Sequence, residues 1–140
     1  MNKNIILSAM ISVLLFGPTL LSANEPEGLD AASQEALEKT NKLLTNPATR
    51  NQALSKDPKG LEHDQEMRKN FGNANTEELY KISAGVMDRL VKETGGDVTK
   101  MMKIMADATK NPASMRTRFT ADELKKIQEM SRALDSKSMP

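Results

Sequence analysis

Met101, Met102 and Met105 form the chain's most unusual local feature among side chains that could bind a metal. Met101 and Met105 stand four positions apart, so on a helix their thioethers share one face. Soft thioethers select copper(I), but a copper site takes further soft or imidazole ligands. The single histidine, His63, lies far off in sequence. Met at this spacing is also ordinary core filler, and packing is the expectation for all three. His63 itself falls in Glu62-His63-Asp64-Gln65-Glu66. Glu62 and Glu66 would share a helix face, as acid/base or hard-ligand chemistry would require. No second histidine completes a His-Glu-x-x-His pattern, and the segment is polar all round, so it reads as a solvated helix face.

Other chemistry is thinner still. The sequence contains no Gly-x-Ser-x-Gly, no phosphate-binding glycine loop and no Gly-x-Gly-x-x-Gly. With no cysteine, disulfide scaffolds, thiolate zinc sites, iron–sulfur clusters and cysteine nucleophiles are excluded. The 20 Lys and Arg face 19 Asp and Glu, for a net charge of +1. With one Tyr and no Trp, neither a basic excess nor stacking platforms point to nucleic acid. Arg116, Arg118, Lys125 and Lys126 cluster locally, but Asp122 and Glu123 stand among them, and a solvated face is expected. No catalytic, metal-binding or cofactor-binding residue is assigned, and no enzyme activity is expected.

The elements that would position any site are helices. Lys3 precedes the uncharged apolar run Ile5–Phe16, which Gly17-Pro18 ends before Leu21-Ser22-Ala23. That is the layout of a secretory signal peptide over residues 1–23, with cleavage expected between Ala23 and Asn24. A membrane-spanning helix needs about 20 apolar residues, so no stable membrane anchor is expected after processing. The expected location is exported, periplasmic or secreted, and bacterial.

Residues 24–30 then read as a mobile leader, residues 31–135 as a single helical domain with its firmer part at 75–135, and residues 136–140 as a frayed tail. Asp30 caps a helix over Ala31–Thr45 with Leu37 and Leu44 on one face. Asn46-Pro47 and Asp57-Pro58 each place a cap before a proline at the first helical position. The second of these opens a helix to about Lys69 whose apolar positions are Leu61, Met67 and Phe71. Asn75 with Glu78 makes a capping box. Leu79, Ile82, Val86, Met87, Leu90 and Val91 then keep helical spacing. Gly95-Gly96 ends that helix and Asp97 caps the next, whose stripe is Val98, Met101, Met102, Met105 and Ala108. Thr120 with Glu123 makes a second capping box, with Leu124, Ile127, Ser131 and Leu134 facing inward.

No stretch alternates with period two. The expected fold is all-α, a small bundle of about four main helices with short helical connectors after the signal peptide. Leu, Ile, Val and Phe make up roughly 15% of residues 24–140, so the core is thin.

Phe119-Thr120-Ala121-Asp122-Glu123 resembles the Leu-Thr-x-x-Gln helix start of the small periplasmic helical chaperones of the Spy and CpxP group. The resemblance spans five residues, with Phe119 in place of Leu and Glu123 in place of Gln. It implies an ATP-independent periplasmic chaperone or envelope-stress protein as the alternative function. The residues themselves point first to a non-enzymatic protein-interaction module, whose partner is another protein or a second copy of itself.

Overall fold

The computed structural model describes residues 31–138, and the signal segment with its Ala23–Asn24 cleavage site, the leader 24–30 and the last two residues lie outside that range. The described residues are all helical: α1 (Ala31–Thr45), α2 (Pro47–Leu54), α3 (Pro58–Phe71), α4 (Asn73–Thr94), α5 (Val98–Lys110), a 3-10 segment (Pro112–Arg118) and α6 (Ala121–Ser138). Five of these helices run 13 residues or longer, one more than the expected four.

The helices begin and end largely where cap chemistry requires. Asn46 accepts from the Thr49 amide at 3.1 Å and Asp97 from the Lys100 amide at 3.0 Å, each meeting a donor with no partner inside its helix. The Thr120–Glu123 box closes in both directions. The Thr120 amide donates to Glu123 Oε2 at 2.8 Å, and the Glu123 amide donates to Thr120 Oγ1 at 3.2 Å. At the end of α4, Gly95 takes φ +64° and the Gly96 amide donates back to the Val91 carbonyl at 2.9 Å, a six-to-one helix stop.

The other expected box does not form. Gly72, at φ +81°, turns the chain in a single residue, and its carbonyl receives both the amide and the hydroxyl of Thr76. This starts α4 at Asn73, ahead of the expected cap. Asn75 is then inside the helix, where its amide donates to the Phe71 carbonyl at 2.9 Å. Asp57 precedes α3 as expected, but its side chain makes no capping hydrogen bond.

α4 is the central element, about 33 Å long at 1.5 Å per residue. It packs against α1, α3, α5 and the 3-10 segment, while α6 returns to lie on α3. Leu79, Val86 and Leu90 are wholly buried, with Ile82 and Met87 beside them and Val91 half-buried. α5 supplies Met101, Met105 and Ala108. Met102, expected in that stripe, is 39% exposed, because it follows Met101 by one position and points about 100° away. On α3, Met67 and Phe71 are buried but Leu61 is not. α6 contributes Ile127, Ser131 and the unexpected Met130, with Leu134 half-buried against the core.

Candidate functional site

The segment read as a solvated face is where the structure departs furthest from expectation. Asp64 is buried on α3, and its carboxylate is the acceptor for two other residues. Tyr80 of α4 donates its hydroxyl to Asp64 Oδ1 at 2.8 Å. Arg68, one turn on from Asp64, donates from Nε to Oδ2 at 2.7 Å and from Nη2 to Oδ1 at 3.2 Å. The same Nη2 reaches Glu77 Oε1 of α4 at 2.8 Å, which carries the link across the Gly72 turn.

Glu77 Oε2 is taken by Arg50 of α2. Arg50 is only 3% exposed, and its guanidinium lies 3.7 Å above the centre of the Tyr80 ring. The contacts therefore close on themselves: Arg50 to Glu77, Glu77 to Arg68, Arg68 to Asp64, Asp64 to Tyr80, and Tyr80 under Arg50. Arg50 Nη1 also donates to the carbonyls of Leu43 at 3.2 Å and Leu44 at 3.3 Å. Those are end carbonyls of α1, which have no acceptor role inside the helix and carry partial negative charge. One arginine thus ties α1, α2 and α4 together.

Charge and burial fix the protonation states. Burial pushes the Glu77 carboxyl up, but hydrogen bonds from Arg50 and Arg68 outweigh it and hold the group below the usual carboxylate range. Burial and the bond to Asp64 raise the Tyr80 phenol well above its ordinary value, so it stays neutral. The Asp64 contact, against burial, likewise holds Arg68 firmly protonated. Two cations and two carboxylates balance within the ring. Both oxygens of Asp64 and of Glu77 are occupied, which leaves no free base in it. Arg50 Nε, also buried, has no hydrogen-bond acceptor among the described residues.

Beside this ring lies a cavity of about 420 Å³ between α1, α2, α3 and the Tyr80 side of α4. Its buried floor is Thr40, Leu44, Arg50, Gly60 and Tyr80. Half-buried Leu43, Thr49, Ala53, Leu54 and His63 make the walls, and exposed Lys39, Lys42 and Asp57 stand at the mouth. Thr40 turns its hydroxyl to the Ala36 carbonyl at 2.9 Å. The floor thereby offers mainly hydrocarbon, since its polar atoms are committed elsewhere or inaccessible. A cavity of this size and lining falls in the range of ligand pockets, about 300–1,000 Å³.

The remaining sequence candidates disperse. His63 sits in the cavity wall, while Glu62 and Glu66 are exposed. Met101 and Met105 are in the core, away from it, and no group of three or more potential metal ligands of the His, Cys, Asp and Glu types occurs among the described residues. The basic cluster is resolved by partners other than those expected. Arg118 pairs with Glu93 at 2.7 Å and Lys126 with Glu78, whereas Glu123 is taken by Arg89. No family model, curated protein or solved structure matches the chain. The ring residues Arg50, Glu77 and Tyr80 carried no signal in the sequence, because each belongs to a residue type that is usually exposed or, for Tyr80, was legible only as one more apolar position.

Proposed function

We propose that this protein is a non-enzymatic binding module, exported by its N-terminal segment, that receives an apolar group of its partner in the cavity between α1, α2 and α3. The observation that carries the reading is the conjunction of an aliphatic 420 Å³ cavity with a neighbouring charge ring whose members are all occupied by one another. Such a ring stiffens a scaffold and leaves no nucleophile or base to do chemistry. α2 then serves as a short connector that carries Arg50 and part of the cavity wall between the five longer helices.

The chaperone alternative calls for a broad exposed apolar face able to meet many unfolded clients. Leu61 and Met102 are the exposed large hydrophobic residues among those described, and they belong to different helices. A cavity of about 420 Å³ favours a small, defined occupant.

The test is titration of the full chain with a neutral solvatochromic dye such as Nile red, beside the Ala53→Phe variant, which projects a ring into the cavity. Saturable binding at one site, lost in Ala53→Phe without loss of helical circular dichroism, is the expected result. Equal binding by both proteins would remove the cavity as the site.

A further inference from the structure

We propose that the occupant of the cavity is the alkyl chain of a single-chain carboxylate amphiphile, with its anionic head held at the mouth by Lys39 and Lys42. This rests on the binding reading above and specifies its ligand.

Size sets the chain. A cavity of about 420 Å³ lies in the range that takes a small ligand and has room for an alkyl chain of medium length. Chemistry keeps the head out of the floor. The Thr40 hydroxyl is spent on Ala36, the Tyr80 hydroxyl on Asp64, and Arg50 Nε is sealed from solvent. A carboxylate pushed to that depth would lose its hydration without gaining a partner.

Charge then places the head. Of the four Lys, Arg and Asp side chains in the lining, three are basic, Lys39, Lys42 and Arg50, and Arg50 is already matched by Glu77. Lys39 and Lys42 lie three apart on α1, on one rim. Their present partners are Glu35 and Glu38 on the same helix, in pairs whose side chains are 63–67% exposed. Pairs as exposed as these are weak, so either ammonium turns to a ligand at small cost. Asp57 stands between α2 and α3 and repels an anion, which directs the head toward α1.

The experiment compares sodium dodecanoate with dodecyltrimethylammonium, both below their micellar concentrations, on the full chain by calorimetry. The variants are Lys39→Gln/Lys42→Gln and Ala53→Phe, and Nile red provides a parallel neutral probe. The proposal expects stoichiometric dodecanoate binding, preferred over the cationic amphiphile by about tenfold, with that preference falling to within twofold in the double variant. Ala53→Phe should abolish binding of both. Equal affinity for both amphiphiles, insensitive to the lysines but lost in Ala53→Phe, overturns the head placement and leaves the cavity reading standing. No amphiphile binding alongside saturable, Ala53-dependent Nile red binding overturns the ligand class alone. Binding of any probe that survives Ala53→Phe, or no binding of any probe, overturns both readings.

Discussion

Replacing Arg50 by alanine should destabilise the protein by about 4 kcal/mol, within the 3–5 kcal/mol seen when one member of a buried ion pair is removed. The structure makes up that figure from separate losses. Two hydrogen bonds to the end carbonyls of α1 disappear, and charged-group hydrogen bonds are worth about 1.5–3 kcal/mol each when well formed. At 3.2 and 3.3 Å these two fall at the weak end of that range. The contact over the Tyr80 ring adds about 1–2 kcal/mol in a desolvated setting. Glu77 loses one of its two cations but keeps Arg68 and is 31% exposed, which holds the total below the upper limit.

Urea unfolding at neutral pH, followed by helical circular dichroism, reads this directly. With a slope of about 1–2 kcal/mol per molar urea, the midpoint should fall by about 2–4 M. Arg50→Lys should recover about half of the loss, because an ammonium cannot hold Glu77 and the two carbonyls with one fork. A double-mutant cycle with Glu77→Gln should give a coupling of about 1–3 kcal/mol. A loss below about 1 kcal/mol in Arg50→Ala, or a coupling within about 0.3 kcal/mol of zero, would show that the ring is not what joins α1, α2 and α4.

Glu77 has its carboxyl held below the ordinary value of 4.5, so the unfolded chain takes up its proton first as pH falls. Its contribution is present above that value and is lost as pH drops below it; midpoints measured from neutrality downward should decline more steeply for the native chain than for Glu77→Gln. Tyr80 works in the opposite sense, since its phenol is raised when folded: its contribution holds below the ordinary phenol value of 10.0 and fades above it, and Tyr80→Phe should flatten the alkaline limb of the same profile. Gly72→Ala forces a side chain into φ +81°, ψ 161°, a region close to glycine-only, and should cost about 1–3 kcal/mol by urea midpoint although its added methyl meets open space. Met101→Ala should cost about 2–5 kcal/mol, whereas Met102→Ala should stay within about 0.5 kcal/mol, a contrast that thermal melts of the two variants would resolve.

Helix boundaries were legible wherever a short polar side chain caps through its own hydrogen bond, as at Asn46, Asp97 and Thr120, because that chemistry is local. The buried stripe of α4 was legible for a related reason: Leu79, Ile82, Val86 and Leu90 recur at helical spacing without interruption. Asn75 misled because a strong cap residue stood three positions past a glycine that could turn the chain alone. The ring was not legible at all. Arg50, Asp64 and Glu77 look like surface residues one at a time, and only the fold brings them within reach of one another. Asp64 and Arg68, four apart on α3, form the one pair that spacing could have suggested, yet spacing says nothing of the Tyr80 hydroxyl that buries it. The cavity is likewise a property of three helices at once, so Thr40, Ala53 and His63 share no sequence pattern.

The links between successive helices are one to three residues long, so each helix meets the next with little search. Docking α1 and α2 onto α4 is different. Arg50 and Glu77 stand 27 positions apart, and closing a loop of that length costs about 3 kcal/mol of chain entropy before any contact is gained. Other contacts span more of the chain still, Asn41 to Asp88 across 47 positions and Lys126 to Glu78 across 48, so such closures weigh on folding time more than the local hairpins do. The cavity needs α1 and α2 docked by such a closure, so a chain caught before it has helices but no cavity.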